Sequence, residues 1–279
     1  MAVEVGAILE TRSVGGGCIS NACRVESTNG PFFLKWSTGE AGGTFEAESD
    51  GLRLLRSADS PLRMPAVLSA ENSRDGSAGH ILLEWIEEGP KPTHFFDGLG
   101  AGLAQLHRSV STKFGFDSPN FIGRLPQINT KDDDWADFFL ACRLEPQAEL
   151  ARQGGRWRNN WEDHFARLEK EISSILPAKP PASTVHGDLW AGNVIADSNG
   201  SPVLIDPAAH YGHREVDLGM TELFGGFPAV FYTSYGHAWP LQPGYETRRE
   251  VYNLYHLINH LNHFGSGYAG QVNRILKRF

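Results

Sequence analysis

The sequence predicts an α+β chain of two lobes: a small antiparallel-sheet lobe with one main helix over residues 1–87, and a larger, mainly helical lobe over 88–279. Three observations carry this prediction. Short β-rich runs crowd the first ninety residues. Gly89-Pro90, followed by Lys91-Pro92, punctuates the chain just after them. Amphipathic helical patterns then dominate to the C-terminus.

The elements follow in order. Asn29-Gly30 is a hairpin signal, because both residues tolerate positive φ, and it separates NACRVES from PFFLKW. Gly15-Gly16-Gly17 lies just upstream, where two strands would meet. TFEAESDGLRLLRSA reads as the helix of the first lobe: Phe45, Leu52 and Leu55 share a stripe, and acids cluster at the start. HILLEWIEEG reads as a buried strand running into a turn. Beyond the linker, LGAGLAQLHRSV places Leu99, Leu103, Leu106 and Val110 on one helical face. DDDWADFFLACRLEPQAELA and WRNNWEDHFARLEKEISSIL are two further amphipathic helices, and Tyr245 to Phe264 is a fourth. VIA and PVLID are short β runs joined by the turn Asp197-Ser198-Asn199-Gly200. A small sheet lobe hinged on a helical lobe leaves a cleft between them.

The chain has 279 residues, with 25 basic and 33 acidic side chains and a net charge of −8. That balance argues against nucleic acid or an anionic membrane as the main partner. Three cysteines, Cys18, Cys23 and Cys142, give no disulfide framework and fit a reducing cytoplasm. The N-terminus lacks a basic start with a long apolar run, so no signal peptide is expected, and no run reaches membrane-spanning length.

The chemistry is concentrated in His186-Gly187-Asp188-Leu189-Trp190-Ala191-Gly192-Asn193 and in Asp206. Phosphoryl transfer needs metal ligands, a cation on the phosphates, backbone donors around them and a group that accepts the hydroxyl proton. Asp188 and Asn193 stand at the Asp-x-x-x-x-Asn spacing of a kinase catalytic loop. Asn193 starts one β run and Asp206 ends the returning one, so a hairpin brings the two together on one Mg²⁺. Asp188 precedes the hairpin and is free to act as base toward the acceptor. The plainer reading makes Asp188 and Asn193 turn residues beside glycines.

Lys35 lies in an otherwise apolar strand and is expected on the ATP phosphates, held by Glu48 or, second, by Glu46. Gly15, Gly16, Gly17 and Cys18 form the expected phosphate-covering turn. Glu84, Trp85 and Ile86 form the expected hinge, with backbone groups of Glu84 and Ile86 on the adenine edge. The bland alternatives are an exposed edge lysine, a flexible glycine run and a plain core strand.

These residues sit inside longer matches. HGDLWAGN, LIDPAAHYGHREVDLGM, FGGF, NHFGSGY and NFIGRLPQIN, with Trp135, Phe138-Phe139 and Arg143-Leu144-Glu145-Pro146-Gln147, together resemble the fructosamine kinase (ketosamine 3-kinase) family over nearly the whole chain. HGD loops alone also occur in aminoglycoside and choline kinases. The resemblance implies a protein-kinase-like fold, ATP and Mg²⁺, and phosphorylation of the O3 hydroxyl of ketosamines, free or on protein lysines. The 3-phosphate then decomposes and frees the amine, which is deglycation. It makes Asp188 the catalytic base, Asn193 and Asp206 the metal ligands, and Trp190 and His260 positions facing the sugar. An indole suits the C–H faces of a sugar. Bacterial and plant members often prefer ribulosamine or erythrulosamine to fructosamine.

One departure matters. The metal motif is Ile205-Asp206-Pro207, not Asp-Phe-Gly, and no Ala-Pro-Glu follows. An always-ordered site is therefore expected in place of an activation segment. Asp217 either holds the catalytic loop as a buried acid or touches substrate. His256, His260 and His263 lie at helical spacing, but without Cys or an adjacent Glu they argue against zinc. Cys18 is either a small turn residue or an oxidisable thiol whose oxidation blocks ATP and links two chains, so the chain is expected as a monomer or a redox-linked homodimer. Two other functions remain open at this point: an aminoglycoside or other amino-sugar kinase, and a nucleotide-binding scaffold without catalysis. The scaffold reading predicts loss of Lys35, Asp188, Asn193 or Asp206, and all four are present.

Overall fold

The computed structural model describes residues 5–15 and 20–279. Strands β1 (Ile8–Ser13), β2 (Asn21–Ser27) and β3 (Gly30–Ser37) lead into helix α1 (Phe45–Ser57), then β4 (Val67–Glu71) and β5 (Gly79–Glu84). They form one antiparallel sheet in the order β1-β2-β3-β5-β4. The β2–β3 turn falls one residue earlier than the sequence suggests. Ser27 pairs with Gly30 around Thr28-Asn29, and Gly30 opens β3 at φ +115°. The Ser27 hydroxyl donates to the Gly30 carbonyl and accepts from the Asn29 N–H, which selects that register.

The second part runs α2 (Phe95–His107), β6 (Val110–Ser111), β7 (Asn120–Ile122), β8 (Leu125–Gln127), α3 (Trp135–Phe139), α4 (Glu145–Gln153), α5 (Glu162–Ile175), β9 (Ala182–Val185), β10 (Val194–Ala196), β11 (Pro202–Leu204), β12 (His210–Gly212), α6 (Glu215–Leu223), α7 (Ala229–Ala238), α8 (Tyr245–Phe264) and α9 (Ala269–Leu276). α2 begins and ends earlier than expected, so Val110 leaves the helical face and enters β6 with 54% exposure. The long helix expected from Asp132 is split: a π-helical segment, Leu140–Leu144, joins α3 to α4. Pro146 explains the break, because it has no N–H to return to the Cys142 carbonyl. Among the described residues no helix is long and apolar enough to cross a membrane.

The cleft is closed on one side by shared core. Leu52, Leu55, Ile81 and Leu83 of the sheet lobe pack in one buried cluster with Phe95, Leu99, Leu189, Val194 and Leu204. Polar stitching reinforces it. Residue 63 lies beside β11, with its N–H on the Pro202 carbonyl and its C=O accepting from the Leu204 N–H. The Arg63 guanidinium reaches both Glu84 and Asp197. The Gly89 N–H donates to the Ala196 carbonyl. The hairpin that carries the predicted metal ligands is thereby fastened to both lobes.

Gly51 sets how closely α1 approaches that hairpin's exit. A Cβ there would stand 3.4 Å from Pro207 and 3.5 Å from Ala209. Glu48, Gly51, Leu52 and Leu55 form one face of α1 at i, i+3, i+4 and i+7. A methyl fits this gap and a larger side chain does not. Gly51→Leu is expected to push α1 outward, at a cost of about 1–3 kcal/mol, and to lower kcat about 10²-fold, with Gly51→Ala near wild type. Steady-state kinetics and thermal melting of the pair check this.

Candidate active site

Five of the predicted residues, Lys35, Glu48, Asp188, Asn193 and Asp206, are linked by ion pairs and hydrogen bonds. Lys35, on β3, places Nζ 2.9 Å from Glu48 Oε1 and 2.5 Å from Asp206 Oδ1. Burial opposes its charge, but the two carboxylates prevail and raise its proton affinity above that of an ordinary lysine. Glu46 is turned away. Its carboxylate accepts from Asn72 and Arg74, while its N–H donates to Asn72 Oδ1, so Asn72 caps the start of α1.

The catalytic loop is ordered by its own side chains. Asn193 lies in a single helical turn just before β10, one residue short of the expected strand start. Its Nδ2 donates to the Asp188 carbonyl at 2.8 Å and to Asp188 Oδ2 at 3.2 Å. That orientation turns the Asn193 Oδ1 away from Asp188. Asp206 lies two residues past β11 at φ +53°, a left-handed backbone uncommon for non-glycine residues though better tolerated by Asp. β10 and β11 pair Val194 with Leu204, and the Ile205 N–H donates to the Asn193 carbonyl, which brings Asn193 and Asp206 together.

Asp188 is half-buried. Burial raises its carboxyl pKa to about 7, against the lowering effect of the Asn193 hydrogen bond and with Asp206 and Asp217 adding negative field. That is the range a general base needs near neutral pH.

For Asp217 the structure favours the buried loop-holding acid over the substrate contact. It is fully buried at 0% exposure, and its oxygens are spent on the loop: Oδ1 accepts from the Gly187 N–H, and Oδ2 from the His186 N–H and His107 Nε2. It therefore holds the catalytic loop and cannot touch substrate. Behind it runs a relay, in which Arg214 donates to the Tyr235 hydroxyl, Tyr235 to His107 Nδ1, and His107 to Asp217. His186 completes the brace with Nε2 on the Ile205 carbonyl at 2.9 Å.

Trp190 is 40% exposed beside the catalytic loop, and its ring lies over Gly192, where a Cβ would stand 2.4 Å from the indole. Gly192 is thus the floor on which the indole rests. Gly192→Val is expected to dislodge the ring and raise KM for a sugar acceptor about 10-fold, with nucleotide binding unchanged; acceptor and ATP titrations check it. His260 is half-buried, with Nδ1 on the His256 carbonyl and its ring 4.7 Å from Phe224 and 5.1 Å from Tyr268. His263 Nε2 instead lies 3.1 Å from the Ile122 carbonyl. Among the described residues, no three of His, Cys, Asp and Glu gather into a metal cage.

The hinge residues have divided roles. The Glu84 N–H donates to the Ala66 carbonyl, and its carboxylate binds Arg63 and the Ala66 N–H. Trp85 is half-buried under the Arg24 guanidinium, 4.7 Å from its ring centre, and its Nε1 donates to Glu87. Ile86 is buried. Gly15 is open to solvent just after β1, while Gly16, Gly17 and Cys18 lie outside the described residues. The sequence reading missed Phe33. It shares a face of β3 with Lys35, its ring lies 6.0 Å from Nζ, and it stands 6.3 Å from the Trp85 ring. The i, i+2 relation to Lys35 was the available signal.

The chain is similar to known proteins over nearly its whole length. The family model for fructosamine kinase matches residues 3–279. A probable ketoamine kinase of Synechocystis sp. is 41% identical, over 97% of this chain and 90% of its own. The chloroplastic protein-ribulosamine 3-kinase of Arabidopsis thaliana is 36% identical, over 96% of this chain and 82% of its own. The crystal structure of a candidate fructosamine-3-kinase from Thermobifida fusca superposes with a TM-score of 0.86 at 28% identity, covering 97% of this chain and 93% of that one. An aminoglycoside phosphotransferase in complex with ADP and hygromycin B has a TM-score of 0.68 at 15% identity, covering 98% and 95%, which shows a shared fold.

Proposed function

This chain belongs to the fructosamine kinase family, and from that premise we propose that it transfers the ATP γ-phosphoryl group to the O3 hydroxyl of a ketosamine. The observation that carries the reading is a connected set of contacts: Lys35 binds Glu48 and Asp206, and the Asn193 amide donates to Asp188 and to the Asp206 carbonyl. These five side chains supply the metal ligands, the phosphate cation and the proton acceptor that phosphoryl transfer requires, which argues against a catalytically empty scaffold.

The assignment of roles follows from their chemistry. Asp188 accepts the acceptor's hydroxyl proton as its oxygen bonds to the γ-phosphorus, and ADP departs. Lys35 neutralises the α- and β-phosphates and is aimed by Glu48. Phe33 offers its ring face to the adenine, with the Glu84 carbonyl and the Ile86 N–H on its edge. Gly15, Gly16, Gly17 and Cys18 cover the phosphates. Trp190 and His260 face the sugar.

The donor set fits Mg²⁺. Asn193 and Asp206 offer hard oxygens on a rigid hairpin, two protein ligands being the complement that phosphate oxygens and water complete. Asp206 Oδ1 already pairs with a cation, the Lys35 ammonium at 2.5 Å, which supports placing a second cation beside it. Mg²⁺ bound there would offset phosphate charge. Cys23 and Cys142 are unpaired and buried, which supports a reducing compartment.

A substrate panel tests the proposal. ADP release is measured with ATP, Mg²⁺ and, separately, fructosyl-, ribulosyl- and erythrulosyl-lysine, with an aminoglycoside as contrast. Turnover of at least one ketosamine well above the aminoglycoside is expected. Turnover of the aminoglycoside alone would sink the reading.

A further inference from the structure

We propose that Arg143 is a positioning residue that sets the hydrogen-bond direction of a buried amide chain beneath the loop Asp206–Ala209. Arg143 sits in the π-helical segment between α3 and α4, 1% exposed, and among the described residues it has no carboxylate partner. A buried guanidinium without a counter-charge is costly, so a specific use is expected. One use is local: its Nη1 donates to the Cys142 carbonyl that Pro146 leaves without a helical partner, and to the Ile128 carbonyl.

Its Nη2 has a different task. It donates to Asn129 Oδ1 at 2.8 Å. A guanidinium only donates, so that contact decides which end of the Asn129 amide faces it. Asn129 Nδ2 then faces Asn120 Oδ1 at 2.8 Å. Asn120 Nδ2 in turn donates to the Ala209 carbonyl at 2.9 Å. Gln127 Nε2 donates to the same Asn120 Oδ1 and to the Ala208 carbonyl, which leaves Gln127 Oε1 to accept from Tyr255 at 2.7 Å. Each amide has one consistent orientation, and the order originates at the donor-only cation.

The chain ends on the backbone that follows Asp206. Ala208 is gripped from the other side too, through its N–H on the His186 carbonyl of the catalytic loop. These bonds fix the backbone that directly follows the left-handed Asp206. Arg143 thus acts on the metal-binding loop through Asn129, Asn120 and Gln127, without touching a reacting atom. The inference rests on Asp206 serving as a metal ligand, as proposed above.

Hydrogen exchange on the metal-free protein separates the two ideas. Gln127→Glu is isosteric but cannot donate to Ala208, and Arg143→Met removes the origin of the order. In both, the amides of Asp206, Ala208 and Ala209 are expected to exchange about 10-fold faster, with α5 and α9 unchanged. The Mg²⁺ concentration for half-maximal turnover is expected to rise about 10-fold at constant ketosamine KM. Arg143→Lys, which keeps three donors, is expected to recover part of both. Wild-type exchange at 206–209 in Gln127→Glu overturns the proposal. So does faster exchange spread evenly over the molecule, which marks a merely structural role. If Arg143→Met does not fold, Arg143→Lys replaces it, and wild-type exchange in both Arg143→Lys and Gln127→Glu overturns the proposal. If the wild type turned over no ketosamine, the reaction assignment would fail while the exchange result still judged the chain of amides.

Discussion

Asp188→Asn is expected to lower kcat at least about 10³-fold while making the metal-free protein more stable. The two effects share one cause. The Asp188 carboxyl is half-buried between Asn193 and two other carboxylates, and its pKa is raised from 3.8 to about 7. An acid whose folded pKa lies above its unfolded value binds its proton more tightly when folded. Its charged form therefore costs stability as pH rises above the unfolded pKa, and the full cost is reached above about pH 7. Three units at about 1.4 kcal/mol each set a ceiling near 4 kcal/mol, and residual solvent contact trims this to about 1–3 kcal/mol. The amide carries no charge and keeps one oxygen for the Asn193 Nδ2. Thermal melts of both proteins should coincide below about pH 4 and diverge between about pH 4 and 7, with the variant higher. ATP binding, measured by calorimetry, should stay within about 3-fold. A variant that retained kcat would remove Asp188 from its role as base.

Asp217→Asn is expected to have the opposite effect on stability. It should destabilise by about 2–4 kcal/mol and lower kcat about 10²-fold without changing any group that touches substrate. The carboxylate accepts three N–H bonds in a fully buried position, and an amide can present its oxygen to only one side. The other side would set an NH₂ against a backbone N–H. Burial pulls the Asp217 pKa upward, but the hydrogen bond and charge interaction with His107 and the loop N–H groups outweigh it, so the folded pKa lies below the usual aspartate value. That stability is present above the unfolded pKa and lost as pH falls through the folded one. The wild type should therefore lose more stability than the variant on acidification. Denaturant melts across the acid range check this, and parallel pH dependence in the two proteins would contradict it.

Much of the site was legible along the chain, because its parts are close in sequence. Asp188 and Asn193 belong to one loop, and Asp197 to Gly200 is a turn whose Asp197 Oδ1 accepts from the Asn199 and Ser201 N–H groups. Those facts suffice to fold Asp206 back on Asn193. Lys35 was legible as a charge in an apolar strand. The strands β6, β7, β9 and β12 were not: two to four residues are too few to display a period of two, and they lack a joining turn sequence such as Asp197 to Gly200, which marked the equally short β10 and β11.

What the sequence determined by itself, then, is the set of reacting groups and their local order. Only the tertiary structure decided how those groups are held. It chose Glu48 over Glu46, since the rotation of α1 about its axis is set by Leu52 and Leu55 in the shared core. It decided between the two readings of Asp217 in favour of the loop, with His107 brought in from 110 residues away. It also placed Gly51 against Pro207, and Gln127 and Asn120 under Ala208 and Ala209. The physical reason is range. Turns, caps and periodicity act over a few residues and leave their mark on adjacent letters. A buried hydrogen bond or a close helix approach depends on which distant surfaces pack together, and adjacent letters carry no record of that.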